Sequence, residues 1–411
     1  MHAERPNFVL LRLSLVVLAL AMSTSAAVAQ RQPRPADLDP KVREIYRHYP
    51  VVELVTMGIG SLVWEKHGHI ALCVRYRQRH RDRCYNYGTA DFANPLSMAW
   101  GFFRGTQSFW ASKSTPGSML RIYERTDRTI WVQPLPLTPE QEQQVIDKLE
   151  SDIRPENRYY AYDHFWDNCT TRVRDIIDDA TDGALSSMDE PAPKETIRDL
   201  AREGFYGMRG VSLITDIAMG RPTDRPPSYW ERMFLPQFLR EAVSKRFGIE
   251  PLVVYQRRGP PHPDDGPSGR FLLACIIILI TAPTWASRLF GRFHRTAIGF
   301  AIFVPVVLGL VLWFLAIISP LSYVQYNESL LIFFPFDLAL LVLPAAQRRL
   351  YGRVRVGMLG LVALLMAVSV LKQPLWAPLL WPLIPAAVVG FWPPAPPLAQ
   401  PPRRDADGPL L

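Results

Sequence analysis

His69-Ile70-Ala71-Leu72-Cys73-Val74-Arg75-Tyr76 alternates strictly, with Ile70, Leu72, Val74 and Tyr76 on one face and His69, Ala71, Cys73 and Arg75 on the other. A period of two is the signature of a β-strand. A polar turn at 79–82 leads into a second run at 84–87, so the pair reads as a hairpin. Working outward, 51–57 is a strand ahead of the Gly-Ile-Gly-Ser turn at 58–61, and 119–124 and 129–135 read as later strands. Helices follow. Thr138-Pro139-Glu140-Gln141 is a capping box with proline at the first helical position, ahead of Val145, Leu149 and Ile153 on one face. A second helix starts near Asn168 and buries Val173, Ile176, Ile177 and Ala180. The pattern predicts a mixed α+β domain over 30–255.

The two ends of the chain say where that domain sits. Arg5 and Arg12, an apolar stretch at 13–22 and Ala27-Val28-Ala29 form the pattern of a secretory signal peptide over 1–29. An uncleaved anchor helix is the alternative, and either leads to export. From Phe271 onward charge nearly disappears over runs of membrane-spanning length. Five spans are expected within 271–391: 271–290, 297–318, 329–346, 356–371 and a shorter, proline-broken 375–391. Arg292 and Arg295 follow the first, with Arg288 at its edge; Arg348, Arg349, Arg353 and Arg355 follow the third. Residues 319–328 contain no Lys or Arg, so the positive-inside rule turns that loop outward together with 30–270. Residues 256–270, rich in Pro, Gly and Asp, read as a linker, and the Pro-rich 392–411 as a disordered cytoplasmic tail. The 48% hydrophobic content excludes a disordered chain. The net charge of +8 arises largely beside apolar runs, which suits membrane topology better than nucleic acid.

Four cysteines narrow the chemistry. Cys275 falls inside the first span and reads as an apolar filler. Cys73 and Cys84 lie on paired strands where a disulfide can form in an exported compartment. Cys169 is then left alone. Asp167 and Asn168 precede it and cap a helix, so its thiol sits in the first turn, where N–H groups and the helix dipole favour thiolate. Arg172, one turn on, adds positive potential. The same N–H groups, with Asn168 and Thr170 beside them, could hold an oxyanion. His69 is the candidate base, and His67 lies on a looser turn before the strand. A buried structural thiol and a core histidine are the alternatives. No His/Cys set has metal-ligand spacing and no nucleotide-binding Gly loop occurs, so neither metal nor cofactor is expected.

Several stretches carry a resemblance. Gly68-His69-Ile70-Ala71-Leu72, Tyr85-Asn86-Tyr87-Gly88, Glu156-Asn157-Arg158-Tyr159-Tyr160, Tyr162-Asp163 and Asn168-Cys169-Thr170-Thr171-Arg172 together resemble the Lnb-type lipoprotein N-acyltransferase family. So do Asp216 to Gly220, Asp224, Phe234-Leu235-Pro236, Tyr326-Asn327 and Pro335-Phe336-Asp337-Leu338. The resemblance implies a papain-like fold in permuted order, akin to NlpC/P60 proteins, in which His precedes Cys, followed by an all-α transmembrane domain. It implies Cys169 as nucleophile and His69 as base, with Asn86 or Tyr87 orienting the His. It further implies a bacterial inner-membrane enzyme with a periplasmic catalytic domain. Such an enzyme moves an acyl chain from a membrane phospholipid, through a Cys thioester, to the N-terminal amine of a lipoprotein. Asn327 is a candidate headgroup contact, or else a helix cap. Asp337, inside an apolar span, is a functional candidate or else the partner of an Arg. Two other functions use the same residues: a membrane-anchored cysteine amidase acting on peptidoglycan, and a non-enzymatic envelope protein that binds lipid. Lipid products distinguish the first; a Cys169→Ala variant that still functions would indicate the second.

Overall fold

The computed structural model of the chain describes residues 39–261 and 269–392. The expected signal peptide (1–29) lies outside these residues, as do 262–268 of the expected linker and 393–411 of the expected tail. Seven strands form one antiparallel sheet in the order β6-β4-β3-β2-β1-β5-β7. They are β1 (Val51–Met57), β2 (His69–Arg75), β3 (Arg83–Thr89), β4 (Phe109–Ser114), β5 (Ile130–Pro134), β6 (Tyr159–Tyr160) and β7 (Leu252–Tyr255). The hairpin read from alternation is β2–β3, in which Cys73 pairs with Cys84. Those two cysteines are joined in a disulfide.

Alternation does not become one wet and one dry face, because both faces of the central strands are covered. Val52, Leu54, Ile70, Leu72 and Val74 pack against the helices Pro139–Asp152, Cys169–Ala180 and Pro236–Phe247. On the other side Val55, Ala71, Cys73 and Cys84 meet Met119, Leu120 and Tyr123. Each large aliphatic side chain buried this way stabilises the domain by about 1.5–3 kcal/mol. Glu53 on β1 is buried and accepts from Tyr46 Oη and Arg75 Nε, both at 2.7 Å.

The stretch expected as a strand at 119–124 is instead part of the helix Pro116–Arg125. The Thr115 side chain accepts from Ser118 N, and Pro116 stands at the start of the first turn. Cap and proline outweigh the weak alternation. The helix Pro95–Phe103 and strand β4 were not foreseen at all.

Among the described residues three helices are long and apolar enough to cross a membrane: Arg270–Phe290, His294–Ile318 and Ala345–Ala367. A shorter apolar helix, Trp376–Phe391, packs along the last of these. A Cβ on Gly352 would lie 2.8 Å from Ala386 O and 2.9 Å from Gly390 N, so the two backbones meet where glycine faces glycine. The expected span at 329–346 is not one helix. It comprises the short turns Ser329–Ile332, Pro335–Leu338 and Ala339–Val342, interrupted around two prolines, Pro335 and Pro344. Arg348, Arg349, Arg353 and Arg355, expected in a loop, belong to the helix Ala345–Ala367.

Arg355 explains how the broken stretch is tolerated. Helix interruption leaves carbonyls without intrahelical donors, and hydrocarbon supplies none. Arg355 donates to Leu331 O at 3.1 Å and Ile332 O at 2.6 Å, and its Nε and Nη2 bind the carboxylate of Asp337. Tyr351 Oη donates to Asp337 Oδ1 at 2.8 Å. Asp337 is therefore the Arg partner of a structural clip.

The exported domain is seated on the membrane region. Asn327 Nδ2 donates to Ile217 O at 2.9 Å and Ala218 O at 3.2 Å, closing the end of the helix Arg209–Ala218. Gln373 Nε2 donates to Asp216 O at 3.1 Å, and Gly220 N to Tyr323 O at 2.6 Å. Asn327 is buried in this joint, so the headgroup contact considered for it is replaced by a capping and stapling role.

Candidate active site

Cys169 is the first residue of its helix, and Asn168 fixes where that helix begins. Asn168 Oδ1 accepts from Thr170 N at 2.7 Å and Thr171 N at 2.9 Å. Its Nδ2 donates to His164 O at 2.7 Å and Phe234 O at 3.0 Å, which ties the cap to two other segments. Asn168 engages the N–H groups of Thr170 and Thr171, so of the first-turn donors the Cys169 N–H is the one its side chain leaves uncapped. Gly88 on β3, facing Cys169, has φ +80°, a backbone conformation that favours glycine.

His69 opens β2, opposite Met57. Its Nε2 lies 3.3 Å from Asn86 Oδ1, on the neighbouring strand. With Asn86 Oδ1 accepting, Nε2 carries the proton and Nδ1 is left as the basic nitrogen. The ring stacks on Tyr123 with centroids 6.0 Å apart. Of the two orienting candidates, Asn86 thus meets the imidazole. Tyr87 donates its hydroxyl to Asp152 at 2.7 Å and is a core residue. His67 has its Nε2 2.8 Å from Ala201 O, which removes it as a rival base.

Cys169 and His69 line one cavity of about 790 Å³, shared with Asn86, Thr170, Tyr123 and Arg128. The thiol takes backbone hydrogen bonds from Ile70, the residue after His69, and from the start of its own helix. Thr170 Oγ1 lies 3.8 Å from Sγ. Burial pushes the thiol above its ordinary value, and these donors only partly offset it. Burial likewise pulls His69 down to about 4, aided by the charge of Arg128 and opposed by Asn86. The helix terminus was expected to hold a thiolate; desolvation wins instead, and the resting pair is neutral thiol and neutral imidazole. Iodoacetamide alkylation of Cys169 is therefore expected to be slow at pH 7. It should speed up about tenfold per pH unit to beyond the ordinary thiol range. A rate already level at pH 7 would show a preformed thiolate.

Arg172 does not turn toward the thiol. It is paired with Asp167 (Nε–Oδ1 2.6 Å, Nη2–Oδ2 2.8 Å) and lies 3.7 Å from the Tyr160 ring centroid, bracing the loop before Asn168. The cation that faces the site is Arg128, which carries no motif and was not anticipated. Asp337 lies in the clip described above, away from this cavity. Among the described residues no group of His, Cys, Asp and Glu is arranged to hold a metal.

The cavity wall is largely apolar, and one of its helices touches the membrane region. Met98 and Phe102 of the helix Pro95–Phe103 line it, with Trp64, Phe92 and Phe109. Trp100 of the same helix stacks on Phe314 of the helix His294–Ile318, with centroids 6.1 Å apart. Leu62, Val63, Trp64, Phe92 and Leu96 leave an exposed apolar rim at this end. Such a cavity can take a long apolar ligand and bring one polar group of it to a Cys–His pair.

No curated protein and no solved structure matches the chain. Residues 40–203 match the family model of the Lnb N-terminal periplasmic domain, a stretch that contains β1 to β6, His69, Asn86 and Cys169. The resemblance carried by those motifs is thereby borne out over residues 40–203, which are similar to the Lnb periplasmic domain, and the apolar helices that follow make this a membrane protein with a periplasmic domain.

Proposed function

We propose that the protein is a thiol acyltransferase that moves an acyl chain from a membrane phospholipid to the N-terminal amine of a lipoprotein. The observation that carries this reading is an apolar cavity with a half-buried Cys–His–Asn set in its wall, beside a membrane helix. His69 Nδ1 takes the proton of Cys169 as the sulfur attacks the ester carbonyl. The tetrahedral oxyanion is met by the Cys169 N–H. On collapse His69 returns the proton to the departing lysolipid oxygen, leaving a thioester. The lipoprotein amine then attacks that carbonyl, loses its proton to His69, and the Cys169 sulfur leaves and is reprotonated. No cofactor is required.

The fold is read as papain-like in permuted order, with the His strand before the Cys helix, and the location as the bacterial inner membrane. Arg288, Arg295, Arg348 and Arg349 gather at one end of the helical region, and the catalytic domain is seated at the other. That arrangement supports a cytoplasmic Arg-rich end under the positive-inside rule. Peptidoglycan cleavage fits less well, because a polar glycan or peptide gains nothing from Met98, Phe102 and Phe109. A purely binding role would leave Cys169 and Asn86 without a purpose.

Intact mass of the full-length protein after incubation with phospholipid tests the reading. A hydroxylamine-labile acyl adduct is expected on the wild type and should be absent from Cys169→Ala. Folded wild type that never acylates would sink acyl transfer.

A further inference from the structure

Among the described residues Arg128 is the only Arg or Lys lining the cavity, and it is 4% exposed. Its Nε donates to Gly58 O at 2.7 Å, which holds the side chain in place. Its Nη2 is buried with no hydrogen-bond partner. The nearest carboxylate, Glu65, stands 3.6 Å from Nη1 and is shared with Leu62 N at 3.1 Å. A buried guanidinium with an idle donor is costly unless something else fills that position. The guanidinium also lies 4.7 Å from the Tyr123 ring centroid, the same ring on which His69 stacks. The cation and the base are thus neighbours across one aromatic side chain.

We propose that Arg128 holds the phosphate of the lipid whose ester Cys169 attacks. This deepens the acyl-transfer reading and rests on it for the identity of the lipid. A planar guanidinium fork matches a phosphodiester, and no other Lys or Arg stands in the described wall. In a glycerophospholipid the ester carbonyls lie only a few bonds from the phosphate. Anchoring the phosphate at Arg128 therefore brings an ester to the Cys–His pair and leaves the chains for the apolar wall. The site selects lipids with a phosphate over neutral glycerides.

The test uses full-length protein in detergent with two soluble probes, dihexanoylphosphatidylglycerol and dihexanoylglycerol. Binding to Cys169→Ala is read by calorimetry, and acylation of wild-type Cys169 by intact mass. The phospholipid is expected to bind, and to acylate, about ten- to a hundredfold better than the diacylglycerol, the value of one charge-assisted contact. Adding Arg128→Met should abolish that ratio in both assays, and adding Arg128→Lys should keep much of it. A ratio between two ligands is indifferent to the fraction of protein folded. Equal use of both probes by Arg128-containing protein, or an undiminished ratio in Arg128→Met, would overturn the proposal. Inorganic phosphate that binds Arg128-containing protein more tightly than the phospholipid does would make this a free-anion site and overturn the lipid assignment. Arg128-dependent phospholipid binding without any acylation would retain the anion site while acyl transfer failed.

Discussion

His69→Gln is expected to slow acylation of Cys169 by about 10²–10⁴-fold, the usual contribution of a positioned general base, without loss of fold. The measurement is the time course of the acyl adduct by intact mass. In the wild type the acid limb of the acylation rate should lie near pH 4, because His69 is held at about 4 and is neutral above it. The rate should then stay level through neutrality, since the buried thiol gives up its proton only as the ester is attacked. Asn86→Asp sharpens the case: a carboxylate beside the imidazole favours its charged form, so the acid limb moves to higher pH. A wild-type limb near pH 6 to 7, or an Asn86→Asp limb that moves down, would show that His69 is not the base.

The second large effect is structural. Asp337→Ala or Arg355→Ala is expected to destabilise the membrane region by about 3–5 kcal/mol, because either leaves an uncompensated buried charge. Arg355→Ala also strands the carbonyls of Leu331 and Ile332. Replacing both, as Asp337→Leu with Arg355→Met, should recover part of the loss, as read by thermal unfolding in detergent. If the single variants unfold like wild type and fail only in acyl transfer, Asp337 has a functional role and the clip does not hold the segment together.

Much of the site could be read from the chain because its signals are local. The strand carrying His69 announces itself by alternation, and the helix start at Cys169 by its Asn cap. The Thr138 capping box is likewise local and is found as expected, with reciprocal bonds between Thr138 and Gln141. Alternation over six residues makes 119–124 look like a strand, but the Thr115-Pro116 cap outweighs it and starts the helix Pro116–Arg125. The broken segment at 329–342 escaped because hydropathy averages over a window and is blind to where a helix stops. The neutral state of Cys169 and the idle Nη2 of Arg128 are products of enclosure by distant segments, and no local pattern encodes them. Arg172 shows the converse: proximity in sequence suggested a role that Asp167 and Tyr160 take up instead.

The joint made by Asn327, Gln373 and Gly220 gives the periplasmic domain a fixed height above the helical bundle. A domain on a free tether would sample many heights; this one works as a gauge. Under the proposed acyl transfer, chemical groups are admitted by depth, so a reactive carbonyl or amine must be held at one level by its own greasy anchor. Donor and acceptor are thereby brought to a common plane before either is recognised. An ester or peptide without that anchor, equal in chemistry, would have to be supplied at much higher concentration to react as fast.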